Sequence, residues 1–486
     1  MKAFKITALA LASSLLLAGC GGSGDSTTNN TGNTGGIPTK PETDNSLKPI
    51  DQAKEMVNTA KLFISDNKAI ADAYESAGDI VTKQQMKRWE ESFSMPESLA
   101  EYMQKNKLSV LDAQKIKQLI KTDDFYLKGL DNLVPADDFK ATLDPQGKFE
   151  LSGSSELTLQ KNIDYVYNPQ TGRYEEQSSQ ADTFSVRYQG YEQTLFTNTV
   201  STATPKLTVG FESMTIGSGD EELVVKSSKD SLKGNAILNK AVVVNDDFDL
   251  GDEHKNGVRL NQLDVALNNV TLIANGNIVT AKDLSFSMLD ITKKLNNGQE
   301  AVRSIPYQFA LTGQLLKEEP STNVSLSLST VANKDDVKNV LTFNENEKVI
   351  EGEGKFLPLT TTLSVQGTVS KKGASQPIPL DFQAHIKRTA RDKFELQGLT
   401  AKVDKKTLFI EGSATLNSDY GVVAQEYTVK QNDAQVILKV DKNGEFVTDA
   451  NNKLGDITVN GKRYGELFKS KGMVTARFTD DTTIVL

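Results

Sequence analysis

One cysteine, two histidines and one tryptophan are spread over 486 residues. A single thiol forms no internal disulfide, so the fold must rest on its core. It also rules out a zinc site built from several cysteines. Two histidines, His254 and His385, leave little material for a His-based metal site or triad. There is no Gly-x-Ser-x-Gly elbow to hold a serine nucleophile, and no glycine-rich phosphate loop opening a helix. Past residue 20 no apolar run approaches the roughly 20 residues of a spanning helix. An excess of positive charge is missing too: 55 Lys and Arg face 64 Asp and Glu, for a net charge of −9. That balance argues against nucleic acid as a partner and against a polybasic membrane-binding face.

What is present begins at the N-terminus. Lys2 and Lys5 form a short basic region, and an apolar stretch runs from Ile6 to Leu17. That length suits a secretory signal and is too short for a permanent span. It ends Leu17-Ala18-Gly19-Cys20, and Cys20 is the only cysteine. The four residues resemble the lipobox of bacterial lipoprotein precursors. The resemblance implies that residues 1–19 are a signal peptide, cut just before Cys20. It implies that Cys20 takes a diacylglyceryl group on its thiol and an acyl chain, such as palmitate, on its new amine. One acyl chain holds a protein only marginally, whereas several on one residue hold it firmly. Gly21 stands where an Asp would signal retention at the inner membrane, so the resemblance points to the outer membrane.

Residues 20–45 carry the lipidated Cys and a run of Gly, Ser, Thr and Asn with no apolar period, the composition of a flexible tether. A small α-helical region is expected over 46–135. Ala53, Met56, Ala60, Phe63 and Ile64, then Ile70, Ala73, Tyr74 and Ala77, recur at helical spacing. Thr82-x-x-Gln85, Ser94-x-x-Glu97 and Ser109-x-x-Asp112 have the form of helix starts, with Pro96 in a first turn. Four or five helices follow from this pattern. Trp89 reads as a helix-packing residue with its indole edge wet, or as a partner anchor.

From 136 to 486 the period changes to two. Phe184, Val186 and Tyr188 alternate with polar residues; so do Leu284, Phe286 and Met288, then Tyr307, Phe309 and Leu311. Asn-Gly pairs at 256–257, 275–276, 297–298, 443–444 and 460–461 supply the positive φ angles that tight hairpins need. No strand–helix–strand alternation appears, so a parallel sheet is not expected. The fold class is α+β, mainly β: helices first, then a large antiparallel meander of about fifteen to twenty strands, closed as a sandwich or a rolled sheet. Gly147-Lys148-Phe149-Glu150-Leu151-Ser152-Gly153 echoes Asp392-Lys393-Phe394-Glu395-Leu396-Gln397-Gly398. With Asn269-Val270-Thr271-Leu272-Ile273-Ala274-Asn275-Gly276, these short strands are similar to those of AsmA-type envelope proteins, a resemblance that implies a long curved sheet with a lipid-handling groove.

Three features could carry chemistry. Asp247, Asp249, Asp252 and Glu253 are candidate oxygen ligands for a cation in an acidic run, though Gly251 falls where a calcium loop needs a ligand. The other reading is a solvated acidic loop. Tyr165, Tyr167, Tyr174, Tyr188 and Tyr191 crowd into one stretch and are candidates for a partner or sugar-stacking patch, or are simply strand residues. His385 shares its strand face with Gln383 and reads as a surface histidine. No cofactor is implied.

The expectation is an outer-membrane lipoprotein with a non-catalytic binding or structural role in the envelope. It would meet the membrane through its anchor and an envelope protein, glycan or lipid through its body. A lipid- or hydrophobe-handling sheet is one alternative. An envelope-polymer enzyme using paired carboxylates is another, and sequence names no pair among 64 acidic residues.

Overall fold

In a computed structural model the chain is mainly β, with four α-helices among the described residues and antiparallel strand ladders. The structure describes residues 46–78, 82–120, 132–159, 163–168, 173–178, 181–194, 202–229, 231–241, 258–294, 300–317, 321–344, 348–369, 377–403, 406–417, 421–470 and 472–486. Two compact units are present. One comprises residues 77–283; the other joins residues up to Ser76 with residues 284–486. The helical region expected over 46–135 is therefore divided. Helix α1 (Pro49–Gly78) contributes its length up to Ser76 to the unit of the C-terminal strands, while α2 (Lys83–Lys105) and α3 (Ala113–Ile120) belong to the other. Periodicity shows that a helix has an apolar face, not what that face will cover.

In the 77–283 unit, Thr82 caps α2 as expected: its hydroxyl accepts from Gln85 N, and the Gln85 side chain accepts from Thr82 N. The expected second start at Ser94 does not occur. The helix runs on through Pro96, and Ser94 Oγ donates back to Glu91 O. The third box is also displaced. Val110–Asp112 is a short strand on Lys140–Leu143, and Asp112 caps α3 by accepting from Lys115 N at 2.8 Å. Leu99, Met103, Leu111 and Ile116 are wholly buried.

The strands of this unit form a meander. Lys148–Leu159 pairs with Lys140–Leu143 and with Asp182–Thr194. The latter pairs in turn with two short strands end to end, Lys206–Gly210 and Ser213–Ile216. Leu223–Lys226 and Leu232–Leu238 continue the order onto Leu260–Ala274. Such splitting explains why 25 strands follow Pro135 among the described residues, more than expected.

In the other unit consecutive strands lie side by side from Glu300–Lys317 through Thr322–Val331, Thr360–Val369, Ile378–Ala390, Lys393–Val403, Lys406–Leu416, Val422–Gln431 and Ala434–Asp441 to the C-terminus. Helix α4 (Lys334–Val340) and the hairpin Leu341–Phe343/Val349–Glu351 are inserted between two of them. The Asn-Gly turns at 275–276 and 460–461 have positive φ at both residues, the geometry of two-residue hairpins. The pairs at 256–257 and 297–298 lie outside the described residues. The echo between 147–153 and 392–398 is a shared local device: each segment follows a turn into a strand, and each strand then breaks register, between Leu151 and Gly153 and between Leu396 and Leu399.

The larger core of this unit is an apolar sheet face with α1 laid on it, and a smaller one gathers Leu289, Tyr307, Phe343 and Leu357 around Val337 of α4. Ala53, Met56, Val57 and Phe63 share a cluster with Leu399, Leu408, Ile410, Val436, Ile457 and Ala476, among others. Burial of Met56, Val57 and Phe63 contributes on the order of 5–9 kcal/mol gross, an upper bound. Polar contacts set the helix position. Lys54 Nζ lies 2.5 Å from Asp480, Lys406 Nζ lies 2.7 Å from Glu55, and Gln52 Oε1 accepts from Asp433 N.

Candidate functional site

The five tyrosines do not make a surface patch. Tyr188 and Tyr191 are core residues, each 2% exposed. Their strand alternates buried and exposed positions, and both fall on the buried side. Tyr191 packs edge-on against Phe149 and Tyr188 and stacks on Phe211. Burial pushes both phenols up, well above the ordinary range for Tyr188. Tyr165, Tyr167 and Tyr174 lie in the separate hairpin Ile163–Asn168/Arg173–Ser178, where Tyr167 and Tyr174 are paired; their side chains are outside the described residues. Cys20, His254 and the candidate ligands Asp247, Asp249, Asp252 and Glu253 are also outside them. Among the described residues no group of three or more His, Cys, Asp or Glu could hold a metal ion.

Two further expectations are corrected. His385 is half-buried rather than a surface residue, and its Nδ1 is buried with no hydrogen-bond partner. It sits where the ladder with Lys393–Val403 breaks register, between His385 and Ile386. Trp89 does not keep its indole edge wet: Nε1 is buried and has no partner. The turn at Asp441–Gly444 is a hairpin turn as expected, with Asp441 Oδ1 accepting from Asn443 N and Glu445 N.

The three charged side chains buried among the described residues are Arg88, Arg388 and Glu351. Arg88 holds Asp182 with two nitrogens, at 2.8 and 2.9 Å, and Glu221 with a third at 2.8 Å, under the ring of Phe184. Asp182 raises the Arg88 pKa, and the Arg88 guanidinium depresses that of Asp182. Arg388 pairs with Glu351 through both terminal nitrogens and lies against the rings of Phe356 and Phe394. Glu351 also accepts from Leu357 N at 2.8 Å. Sequence could not find these pairs, because charged partners far apart in the chain leave no local pattern.

Two surfaces of the C-terminal unit remain. An open depression of about 650 Å³ lies where Ala434–Asp441 and Lys453–Val459 diverge beyond Val436 and Ile457. Ile437 and Val447, each 46% exposed, form part of its lining. Of its rim charges, Lys453 pairs with Asp456 and Glu466 and Lys439 with Glu426, while Asp449 accepts from the backbone N–H groups of Asn451 and Lys453. The other surface is on Glu300–Lys317 and Thr322–Val331, beside Thr360–Val369, whose Leu363 and Val365, like Val324, belong to the buried core. Their register sets Leu311, Leu328 and Leu363 in one row and Leu315, Val324 and Gly367 in another, all on one face. The opposite face carries Thr312, Ser327 and Ser364, then Gln314, Ser325 and Gln366. Phe309, Leu311, Leu315, Leu326 and Leu328 on the apolar face are only half-buried.

No family model matches the chain, and no curated protein or solved structure matches it.

Proposed function

We propose that this protein is a lipid-anchored protein of the bacterial cell envelope, held at the outer membrane through Cys20, whose β body acts by non-catalytic binding. The observation that carries the binding reading is the sidedness of the 300–369 strands. One face is hydroxyl- and amide-rich; on the other, Val324, Leu363 and Val365 are core, while Phe309, Leu311, Leu315, Leu326 and Leu328 are half-buried. A sheet face of that kind is a contact surface, since apolar area left in water gains by being covered. The buried ionic groups support the same reading: Arg88, Arg388 and Glu351 tie elements of the body together. The anchor rests on the lipobox-like Leu17-Ala18-Gly19-Cys20.

The test is metabolic labelling with an alkyne fatty acid, followed by membrane fractionation. Wild-type chain is expected to carry label and to sediment with outer membranes. Cys20→Ser is expected to lose the label and to accumulate as uncleaved precursor or soluble protein. Undiminished label in the Cys20→Ser chain would overturn the anchor.

A further inference from the structure

We infer that the C-terminal unit stands on the membrane by one end of its sheet, with the turns at 432–433, 460–461 and 479–482 against the lipid headgroups and the opposite end turned away. The inference rests on the Cys20 anchor proposed above and says which surface that anchor brings to the lipid. It follows from strand direction. Consecutive strands from Ile378–Ala390 to Thr483–Val485 are antiparallel, so their turns fall alternately at two ends. The chain turns at 431–434, 459–462 and 478–482 at one end. It turns at 390–393, 441–445 and 470–473 at the other.

Helix α1 enters at the first of these ends. Gln52 Oε1 accepts from Asp433 N, Glu55 meets Asn432 and Lys406, and Lys54 meets Asp480. The chain just before the helix is held there too: Gln52 Nε2 donates to Leu47 O at 3.1 Å, and Ile50 packs against the core. Residues 20–45, of tether composition, therefore join the body at this entry end. That composition gives an r.m.s. reach of about 25–30 Å. The strand Lys406–Leu416 sets the far end about 34 Å further off, at 3.4 Å per residue. To bring the far end to the lipid, the tether would first have to run the length of the body, beyond its ordinary reach.

Side chains are sorted the same way. The entry end carries both signs of charge, with Lys462, Arg463, Asp480 and Asp481 exposed. Among its described residues it holds none of the exposed large apolar side chains. Headgroups bearing a phosphate and an ammonium offer a partner to each sign, and a surface without apolar residues rests on them rather than inserting. The far end differs: Val423, Val447 and Met473 lie there and are 37%, 46% and 57% exposed. In this orientation they stand clear of the lipid.

The test uses full-length lipidated protein on vesicles of phosphatidylethanolamine and phosphatidylglycerol, with an acceptor dye on some headgroups. Acylation consumes the Cys20 thiol, so an introduced cysteine is the only one to take the donor dye. Lys462→Cys reports the entry end and Lys442→Cys the far end; both side chains are exposed. Energy transfer to the headgroups should be at least twofold higher from 462 than from 442. Thr479→Cys and Ala450→Cys form a second pair with the same order expected, should a variant of the first fail to fold.

Flotation with the vesicles reports the anchor separately. Protein that floats with equal transfer from both ends, or with the reverse order, would overturn the orientation and leave the anchor standing. Protein that does not float and takes dye on Cys20 would overturn the anchor, and the orientation with it.

Discussion

The Tyr188 hydroxyl donates to the carbonyl of Ser92 at 2.8 Å, in place of the amide hydrogen that Pro96 lacks. Within a helix that carbonyl would normally accept from residue 96. A proline there removes the bond and costs about 3 kcal/mol or more in a bare helix. Here the strand beside α2 returns a donor to the same oxygen, in a place where Ser92 and Tyr188 are both buried. Tyr188→Phe should therefore destabilise the protein by roughly 1–3 kcal/mol, the cost of an unsatisfied buried acceptor. In a Pro96→Ala background the same change should cost clearly less, because the alanine supplies the N–H that restores the helical bond. A double-mutant cycle from urea denaturation checks this; equal losses in both backgrounds would refute the compensation.

Lys54 and Asp480 join α1 to the last turn of the chain across 426 positions. The Lys54 ammonium, helped by Thr482, depresses the Asp480 carboxyl to about 2. A depressed carboxylate stabilises the fold above its unfolded pKa, and that contribution is lost as pH falls through the folded value. The contact should thus be whole above about pH 4 and gone below about pH 2. Titration of the Asp480 carboxyl by ¹³C NMR should give a midpoint near 2 in wild type, returning toward the ordinary value of about 3.9 in Lys54→Met.

Helix α1 acts as the second layer of the C-terminal unit. Met56→Ala should cost roughly 2–5 kcal/mol, read as a lower urea midpoint for the transition of that unit. By the same logic a fragment of residues 140–486, lacking α1, α2 and α3, should be less stable than one starting at residue 46. Equal midpoints and slopes for the two fragments would show that the sheets do not need these helices.

The Arg388–Glu351 pair is buried on both sides, with side chains 6% and 5% exposed. Removing Arg388 leaves the buried Glu351 carboxylate with only Arg391 Nε, at 3.8 Å, as a cationic partner. Arg388→Met alone should therefore cost roughly 3–5 kcal/mol. Adding Glu351→Leu should recover part of that loss. Recovery stays partial because Leu357 N loses its acceptor. Thermal unfolding of the wild type, the two single variants and the double variant decides it.

Local physics made part of this readable in advance. The alternation through Phe184, Val186 and Tyr188 foretold a strand with those residues inward, and they are buried. Thr82 and Gln85 foretold a cap, because the partners of a capping box are three residues apart. The same local logic misled at Ser94 and Pro96, where a helix start and a helix interior look alike unless the strand supplying Tyr188 is known. It misled again at Leu284, Phe286 and Met288. These are half-buried or less, while Leu289 and Ile291 on the same strand are buried.

The candidate site divides in the same way. That Phe309, Leu311, Leu326 and Leu328 would share apolar strand faces follows from a period of two, which is a property of the backbone itself. Which parts of such a face are covered depends on where helices dock, and docking is decided by contacts between residues far apart in the chain. Met56 reaches the cluster of Ile457 and Ala476, Lys54 reaches Asp480, and Arg88 reaches Asp182. Sequence by itself determined the mainly β character, the hairpin turns and the amphipathic helices, because each is set by neighbours within a few residues. Tertiary structure alone decided that α1 and α2 belong to different units, that Tyr188 and Tyr191 are core, and that one stretch of apolar sheet stays half-exposed, because burial depends on partners brought together only by the folded chain.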